Sequence, residues 1–457
     1  MGGGLLQLVA YGAQDAYLSG NPHITFWKIL YKRHTNFAME AFRVNFTGAP
    51  AWGQRVVAVV NRNADLIWKT YLEITLPVTD SESTTVAWTG GAKRRLGYLM
   101  VQQVEVEIGG QIIDRQYGEW LYLWETLTTD FDTSMKLDSM VGGRYSGGDT
   151  NATACRGRPD VLYVPFQFWF NRNPGLALPL IALQYHEVRF NITLNDAINL
   201  VQGPLVGGSI PANAGANLQA AANALPAPKD MALYIDYIYL DVEERRRFAQ
   251  ESHEYLIEQL QYEGQQQITS ATERIDLTLN HPVKELIWLF QDARKTDCSL
   301  PSPASGNYTR QLYTQPFSYD DIVNRCRIQI NGQDRFEERY GDYFWKVQPY
   351  QHHTGGAYDR ASVDGTVVQA RTDVNPINVY SFAIAPEEHQ PSGTCNFSRI
   401  DNATLVIDSI RPQVTAGNPT DVGSFPSKAY PYNFRLYAVN YNILRIMSGM
   451  GGLAYSN

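Results

Sequence analysis

The sequence predicts an all-β protein built from two β domains in succession. Three observations carry this. Apolar and polar residues alternate at period two, turn-forming clusters separate the alternating runs, and a set of short segments recurs in order in the second half of the chain.

The alternation is clear at four places. Val104, Val106 and Ile108 alternate with Glu105 and Glu107, and Val188, Phe190, Ile192 and Leu194 with Arg189, Asn191 and Thr193. Ile275, Leu277 and Leu279 form a third set, Ile328 and Ile330 a fourth. Successive side chains of a strand point to opposite faces, so each set is one buried row of a half-buried strand. Gly, Pro, Asn and Ser cluster at 142–151, 203–217, 301–307 and 417–427, which read as turns and loops. Helical pattern is limited. Trp120, Leu121, Leu123, Trp124 and Leu127 make a short apolar stripe over 118–127, and 244–262 has helix-like spacing that reads as a helical or extended linker.

The repeat divides the chain. Asp65-Leu66-Ile67-Trp68 recurs as Glu285-Leu286-Ile287-Trp288, and Ile108-Gly109-Gly110-Gln111 as Ile330-Asn331-Gly332-Gln333. Tyr117-Gly118-Glu119-Trp120 recurs as Tyr340-Gly341-Asp342-Tyr343, Asn191-Ile192-Thr193-Leu194 as Asn402-Ala403-Thr404-Leu405, and Leu233-Tyr234 as Leu436-Tyr437. A spacing of about 200 residues lies far above the 20–50 of a solenoid, so it means two duplicated domains. The expected division is an N-terminal arm over 1–24, a first domain over 25–243, a linker over 244–266 and a second domain over 267–457. Trp68 and Trp288 are expected at matching places, and Gly110 and Gly332 at turns after strands. The stretches 128–158 and 195–230 have no apolar periodicity and are expected to project as exposed loops.

Composition narrows the function. The 457 residues are 44% apolar and 18% charged, with 28 Tyr and 9 Trp. Charge is about 25% in an average soluble chain, so low charge with many aromatics suits large contacts with partners. The net charge of −8 argues against direct nucleic-acid binding. Lys93-Arg94-Arg95 reads as a solvated loop, and Arg245-Arg246-Arg247, following Glu243-Glu244, as a salt-bridged helix face. Cys155, Cys298, Cys326 and Cys395 form no CxxC pair and no disulfide framework, which suits a reducing compartment. No signal peptide is expected, since Met1-Gly2-Gly3-Gly4-Leu5-Leu6 lacks a basic n-region and a long apolar h-region, and no transmembrane span, since 197–228 is uncharged but poor in large apolar residues.

No catalytic motif appears: no GxxxxGK[ST], no GxSxG and no HExxH. Neither a catalytic residue, a cofactor nor a metal site is expected. His352, His353 and His389 read as loop or packing histidines. Asp320-Asp321, Glu337-Glu338 and Glu387-Glu388 read as solvated surface, because sequence neighbours do not supply two carboxyls facing each other across a substrate. Six Asn-x-Ser/Thr sequons occur, at Asn45, Asn151, Asn191, Asn307, Asn396 and Asn402. Asn45, Asn191 and Asn402 fall in expected strands, and of the six only Asn151 and Asn307, which lie in loops, read as possible glycan acceptors.

Several blocks carry a family resemblance. Leu8-Val9-Ala10-Tyr11-Gly12-Ala13-Gln14-Asp15, Ile24-Thr25-Phe26-Trp27-Lys28 and Tyr31-Lys32-Arg33-His34-Thr35-Asn36-Phe37 open the chain. Leu176-Ala177-Leu178-Pro179, Gln184-Tyr185-His186-Glu187-Val188 and Asp241-Val242-Glu243-Glu244-Arg245 follow. Gln390-Pro391-Ser392-Gly393-Thr394-Cys395-Asn396-Phe397-Ser398-Arg399 and Tyr441-Asn442-Ile443-Leu444-Arg445 close it. Together they resemble the major capsid proteins of nucleocytoplasmic large DNA viruses, whereas 79–95, 128–158, 195–230 and 293–320 match no family block. The resemblance implies two consecutive eight-stranded antiparallel jelly rolls with short helices in loops and linker. It implies a homotrimeric capsomer of pseudo-hexagonal outline that tiles an icosahedral virion shell assembled in the host cytoplasm. The implied partners are further copies of the chain and minor capsid proteins at the inner face, with an inner viral membrane nearby and no direct nucleic acid. A minor capsid or spike protein of the same viruses, and a carbohydrate-binding jelly-roll protein, are the alternatives, because fold alone does not decide function.

Overall fold

The computed structural model describes residues 10–29, 31–76, 87–88, 95–142, 161–202, 219–220, 222–293, 317, 319–356, 376–410 and 431–455. The chain forms two units, Met1–Phe37 and Ala38–Asn457. In the first, Ala16–Ser19 makes one helical turn, and Tyr11, Tyr17, Leu18, Phe26, Trp27 and Tyr31 all stand exposed. The first strand begins at Phe37.

The second unit carries two rolls. Its first half holds β1 (Phe37–Asn45), β2 (Arg55–Val59), β3 (Leu66–Thr75), β4 (Ala87–Trp88), β5 (Val101–Ile108) and β6 (Gln111–Tyr117). β7 (Val161–Pro165), β8 (Leu178–Pro179), β9 (Val188–Leu194), β10 (Val201–Gln202) and β11 (Asp230–Leu240) complete it. Two sheets result, β1-β11-β3-β7 and β2-β9-β5-β6; β8 joins β3, and β4 pairs with β10.

The second half holds β12 (His253–Ile268), β13 (Glu273–Asp276), β14 (Pro282–Asp292), β15 (Val323–Ile330), β16 (Gln333–Asp334) and β17 (Arg339–Tyr340). β18 (Asn378–Ser381), β19 (Cys395–Asn396), β20 (Ala403–Ile410), β21 (Tyr432–Met447) and β22 (Met450–Leu453) follow. The order repeats as β12-β21-β14-β18 and β13-β20-β15-β16, with β17 on β15, β19 on β14 and β22 on β21. Each half is therefore a jelly roll, and the chain is a double jelly roll with minor helices.

The alternating rows fill the cores. Val104, Val106, Ile108, Phe190 and Ile192 are buried in the first, and Leu286, Trp288, Phe290, Ile328, Leu405 and Leu436 in the second. Each such side chain contributes about 1.5–3 kcal/mol by leaving water.

Strand register tests the repeat residue by residue. Ile108 faces Gln111 and Ile330 faces Gln333 across matching hairpins. Their turn residues all have positive φ: Gly109 +59°, Gly110 +89°, Asn331 +50° and Gly332 +77°. Glycine and asparagine tolerate that geometry, and it suits the twist of the strands. Tyr117 faces Gln103 as Tyr340 faces Arg325. A Cβ on Gly118 would lie 2.2 Å from the Val101 carbonyl oxygen, and one on Gly341 2.3 Å from that of Val323. Leu233 faces Leu72 and Leu436 faces Trp288. A β-bulge then interrupts both ladders at the same step, before the pairs Tyr237–Ile67 and Asn440–Val283.

Two matches fall four residues out of register. Leu72, not Trp68, is the counterpart of Trp288. Trp288 is 1% exposed inside the second core, whereas Trp68 is half-buried against a small cluster of Leu66, Ala177 and Ile238. Phe190 faces Val106 as Leu405 faces Ile328, so Leu405 answers Phe190 rather than Leu194. A bulge shifts which face a residue occupies, and four-letter similarity does not register it.

Other expectations are corrected as well. The stretch 244–266, expected as a helical or extended linker, holds the rest of a helix and most of a paired strand. Helix Val242–Gln250 ends at Glu251, and β12 then pairs with β21 from His253 to Ile268. Within 128–158, helix Phe131–Val141 is tied down by fully buried Val141 and by Arg95, whose Nε donates to Asp138 Oδ1 at 2.7 Å. The clusters 203–217, 301–307 and 417–427 lie outside the described residues, as does 143–151. The strand ends flanking the long stretches gather at one end of each roll: Thr75 faces Asp230 and Val161, Val101 faces Leu194, Asp292 faces Tyr432, and Val323 faces Ile410.

Candidate assembly surfaces

One helix joins the rolls. α1 (Gly118–Thr128) follows β6, and its apolar residues split between two faces. Leu121 enters the first core. Trp120, Leu123, Trp124 and Leu127, at i, i+3, i+4 and i+7, lie on the outer face of the second roll against Ile287, Leu289, Ile377, Val379, Tyr437 and Val439.

Charges are buried in this junction. Glu119 on α1 accepts hydrogen bonds from Tyr437 Oη at 2.6 Å, Arg435 Nη2 at 2.7 Å and Tyr319 Oη at 3.1 Å. Burial disfavours the charged Arg435, but Glu119 reverses this and raises its pKa. Glu258 on β12 accepts from Lys284 Nζ at 2.8 Å and pairs with Arg172 of the first roll at 2.8 Å. Burial pushes Glu258 up, yet Arg172, His389 and Lys284 bring it down to about 2. The Arg172 guanidinium lies 4.6 Å from the centre of the Trp124 ring.

A third knot lies on the second roll beside the end of α1, where the Gly355 backbone donates to the Leu127 carbonyl at 2.7 Å. His353 is buried 3.1 Å from Glu285 and 3.1 Å from Glu387, whose carboxylate also accepts from the Thr354 backbone at 2.7 Å. Burial opposes its charge, but the two carboxylates raise its pKa to about 9. Glu387 is thus part of a packed network, not the solvated pair expected of Glu387-Glu388. His352 takes a different partner, the Ile384 carbonyl at 3.0 Å, and His389 lies 3.6 Å from Glu258. Asp320 accepts from the Asp292 backbone at 2.8 Å.

The remaining sequence candidates fall as follows. Arg95 is mostly buried, between Glu125 at 3.0 Å and Asp138, while Arg245 pairs with Asp65 and Arg247 with Glu251 on the helix face. Asn191 is buried in β9 and donates to Glu107. Asn45 ends β1, and Asn402 stands just before β20 rather than in it. Asn151 and Asn307, with Cys155 and Cys298, lie outside the described residues. Cys326 and Cys395 are free thiols. Among the described residues no His, Cys, Asp and Glu group could hold a metal, and no helix is long and apolar enough to cross a membrane.

Two family models divide the chain much as its rolls do. "Major capsid protein N-terminus" matches 25–241, and "large eukaryotic DNA virus major capsid protein" matches 244–452. The chain belongs to the major capsid proteins of large eukaryotic DNA viruses. Full-length relatives agree: this capsid protein is 46% identical to the major capsid protein of Pyramimonas orientalis virus and 41% identical to that of Paramecium bursaria Chlorella virus 1, each alignment covering 100% of both chains. Among solved structures, a chain of the PBCV-1 virus capsid is 36% identical, with TM-score 0.74 over 95% of this capsid protein and 100% of that chain. The Faustovirus major capsid protein, 13% identical, shares the fold at TM-score 0.64 over 96% of this chain and 94% of its own.

Proposed function

We propose that this capsid protein is a non-enzymatic shell subunit whose three-copy assembly presents six similar rolls in a pseudo-hexagonal capsomer, and that capsomers tile an icosahedral virion. One observation carries the reading: two rolls of the same topology are held together by a buried, charge-locked junction. Three such pairs give a six-sided block without any second kind of subunit. Permanent interfaces of this kind commonly exceed about 2,000 Å².

The exposed aromatics of Met1–Phe37 support docking of this arm on other shell components, with minor capsid proteins at the inner face and an inner viral membrane nearby. Assembly in the host cytoplasm and the absence of direct nucleic-acid binding belong to the same proposal, the latter supported by the net charge of −8. Asn151 and Asn307 remain proposed glycan acceptors.

Light scattering on the purified protein is expected to give a mass three times 51.5 kDa. A monomer at micromolar concentration in assembly salt would refute the trimer. In gels of purified virions the chain should be the dominant band; a trace band would favour the minor capsid or spike reading.

A further inference from the structure

We infer that the helix beginning at Tyr343 of one capsid protein docks on the outer face of β1-β11-β3-β7 of a second copy, in the way α1 docks on the second roll within the chain. This rests on the trimeric reading and adds the residues that close the ring.

The register fixes which residues correspond. Tyr117-Gly118 and Tyr340-Gly341 occupy the same place in the two rolls, and each opens a helix. Counting on from them, Leu121 corresponds to Phe344, and both are fully buried in their own roll's core. The docking residues Trp120, Leu123, Trp124 and Leu127 then correspond to Tyr343, Lys346, Val347 and Tyr350. In α1 this stripe is covered by the second roll. In the second helix, a π turn over Tyr343–Val347 continued by Gln348–His352, Tyr343 packs against its own core and accepts from Gln348, while Val347 is 37% and Tyr350 86% exposed.

The receiving faces correspond in the same way. With Leu72 matched to Trp288 and Leu233 to Leu436, the positions of Ile287, Leu289, Tyr437 and Val439 are held on the first roll by Tyr71, Glu73, Tyr234 and Asp236. Tyr71 stacks on Tyr234, ring centres 5.2 Å apart, with Tyr163 edge-on at 6.0 Å. These tyrosines are half-buried and join none of the apolar clusters formed by the described residues.

The chemistry has changed in step on both sides. Where α1 brings Leu123 to a face holding Leu289 and Val439, the second helix carries exposed Lys346, paired with Asp342 at 2.6 Å within the chain, and the matching face holds Glu73 and Asp236, the latter near Lys69. A cation opposite two carboxylates, flanked by tyrosine and valine, is complementary in charge and in apolar area. The docked pair and the undocked pair are the two halves of one repeated junction, so the occupant is a second copy of this chain.

The test is zero-length carbodiimide coupling of a mixture of light and ¹⁵N-labelled wild-type protein, with mass spectrometry of the peptides. The expected products join Lys346 of one copy to Glu73 or Asp236 of another. In parallel, the V347R/Y350E double variant is expected to keep its circular dichroism and melting profile while trimerising at least tenfold more weakly. A wild-type protein that is monomeric overturns the trimer and this interface together. A wild-type trimer that yields no such cross-link, and whose V347R/Y350E variant stays trimeric, overturns this interface alone.

Discussion

The outer face of the second roll, with Ile287, Leu289, Tyr437 and Val439, is closed and apolar, whereas the matching positions of the first roll are Tyr71, Glu73, Tyr234 and Asp236. The backbones beneath them share sheet order, hairpin turns and even a bulge. What separates them is when each face is covered. The second roll's face meets α1 during folding of one chain, so it can be as apolar as a core. The first roll's face must stay soluble until another copy arrives, and tyrosines with carboxylates suit that interval. Duplicated folds can thus diverge in surface chemistry according to whether the neighbour is covalently attached.

Several perturbations sharpen this contrast. Replacing Trp288 with Ala removes a large ring from the second core and is expected to cost about 3–5 kcal/mol in denaturant unfolding. Leu72→Ala, its register counterpart, should cost about 2–5 kcal/mol. Replacing Glu258 with Gln leaves Lys284 and Arg172 without their shared carboxylate in the junction, and about 3 kcal/mol should be lost.

The His353 knot gives a pH signature. Its folded pKa of about 9 lies above the ordinary 6.5. Its contribution is therefore fully present below pH 6.5 and is lost as pH rises through about 9. That contribution is on the order of 3 kcal/mol by the linkage relation. A His353→Gln variant should show a flatter stability profile between pH 6.5 and 9; an unchanged slope would remove the knot from the account. The smallest effect belongs to Trp68→Ala, about 1 kcal/mol, because that ring is only half-buried. A loss as large as that of Trp288→Ala would contradict the register.

Period-two alternation made the strands of both cores legible, and the IGGQ and INGQ segments located matching turns because positive φ leaves a residue signature. The stripe on α1 was visible too, though not the surface it meets. Pairing register was not legible, because four shared letters do not fix which residues face each other across a sheet, and Trp68 and Trp288 share letters without sharing a place. Nor were the charged knots. Arg172 and Glu258, like His353 and Glu285, come together only through sheet packing over long sequence separations, and nothing local distinguishes Glu258 from a surface glutamate. The strand from His253 to Ile268 was hidden by its many glutamines and glutamates, which sit well on a strand whose faces are only partly buried.

The central claim is that one junction is used twice, once within the chain and once between chains. Electron cryo-microscopy of the purified assembly tests it most directly. The account predicts three copies whose six rolls alternate around a ring, with Lys346, Val347 and Tyr350 of each copy seated over Tyr71 and Tyr234 of the next, superposable on Leu123, Trp124 and Leu127 over Ile287 and Tyr437. A ring in which that helix faces solvent, or meets any other surface of the neighbouring copy, would contradict it.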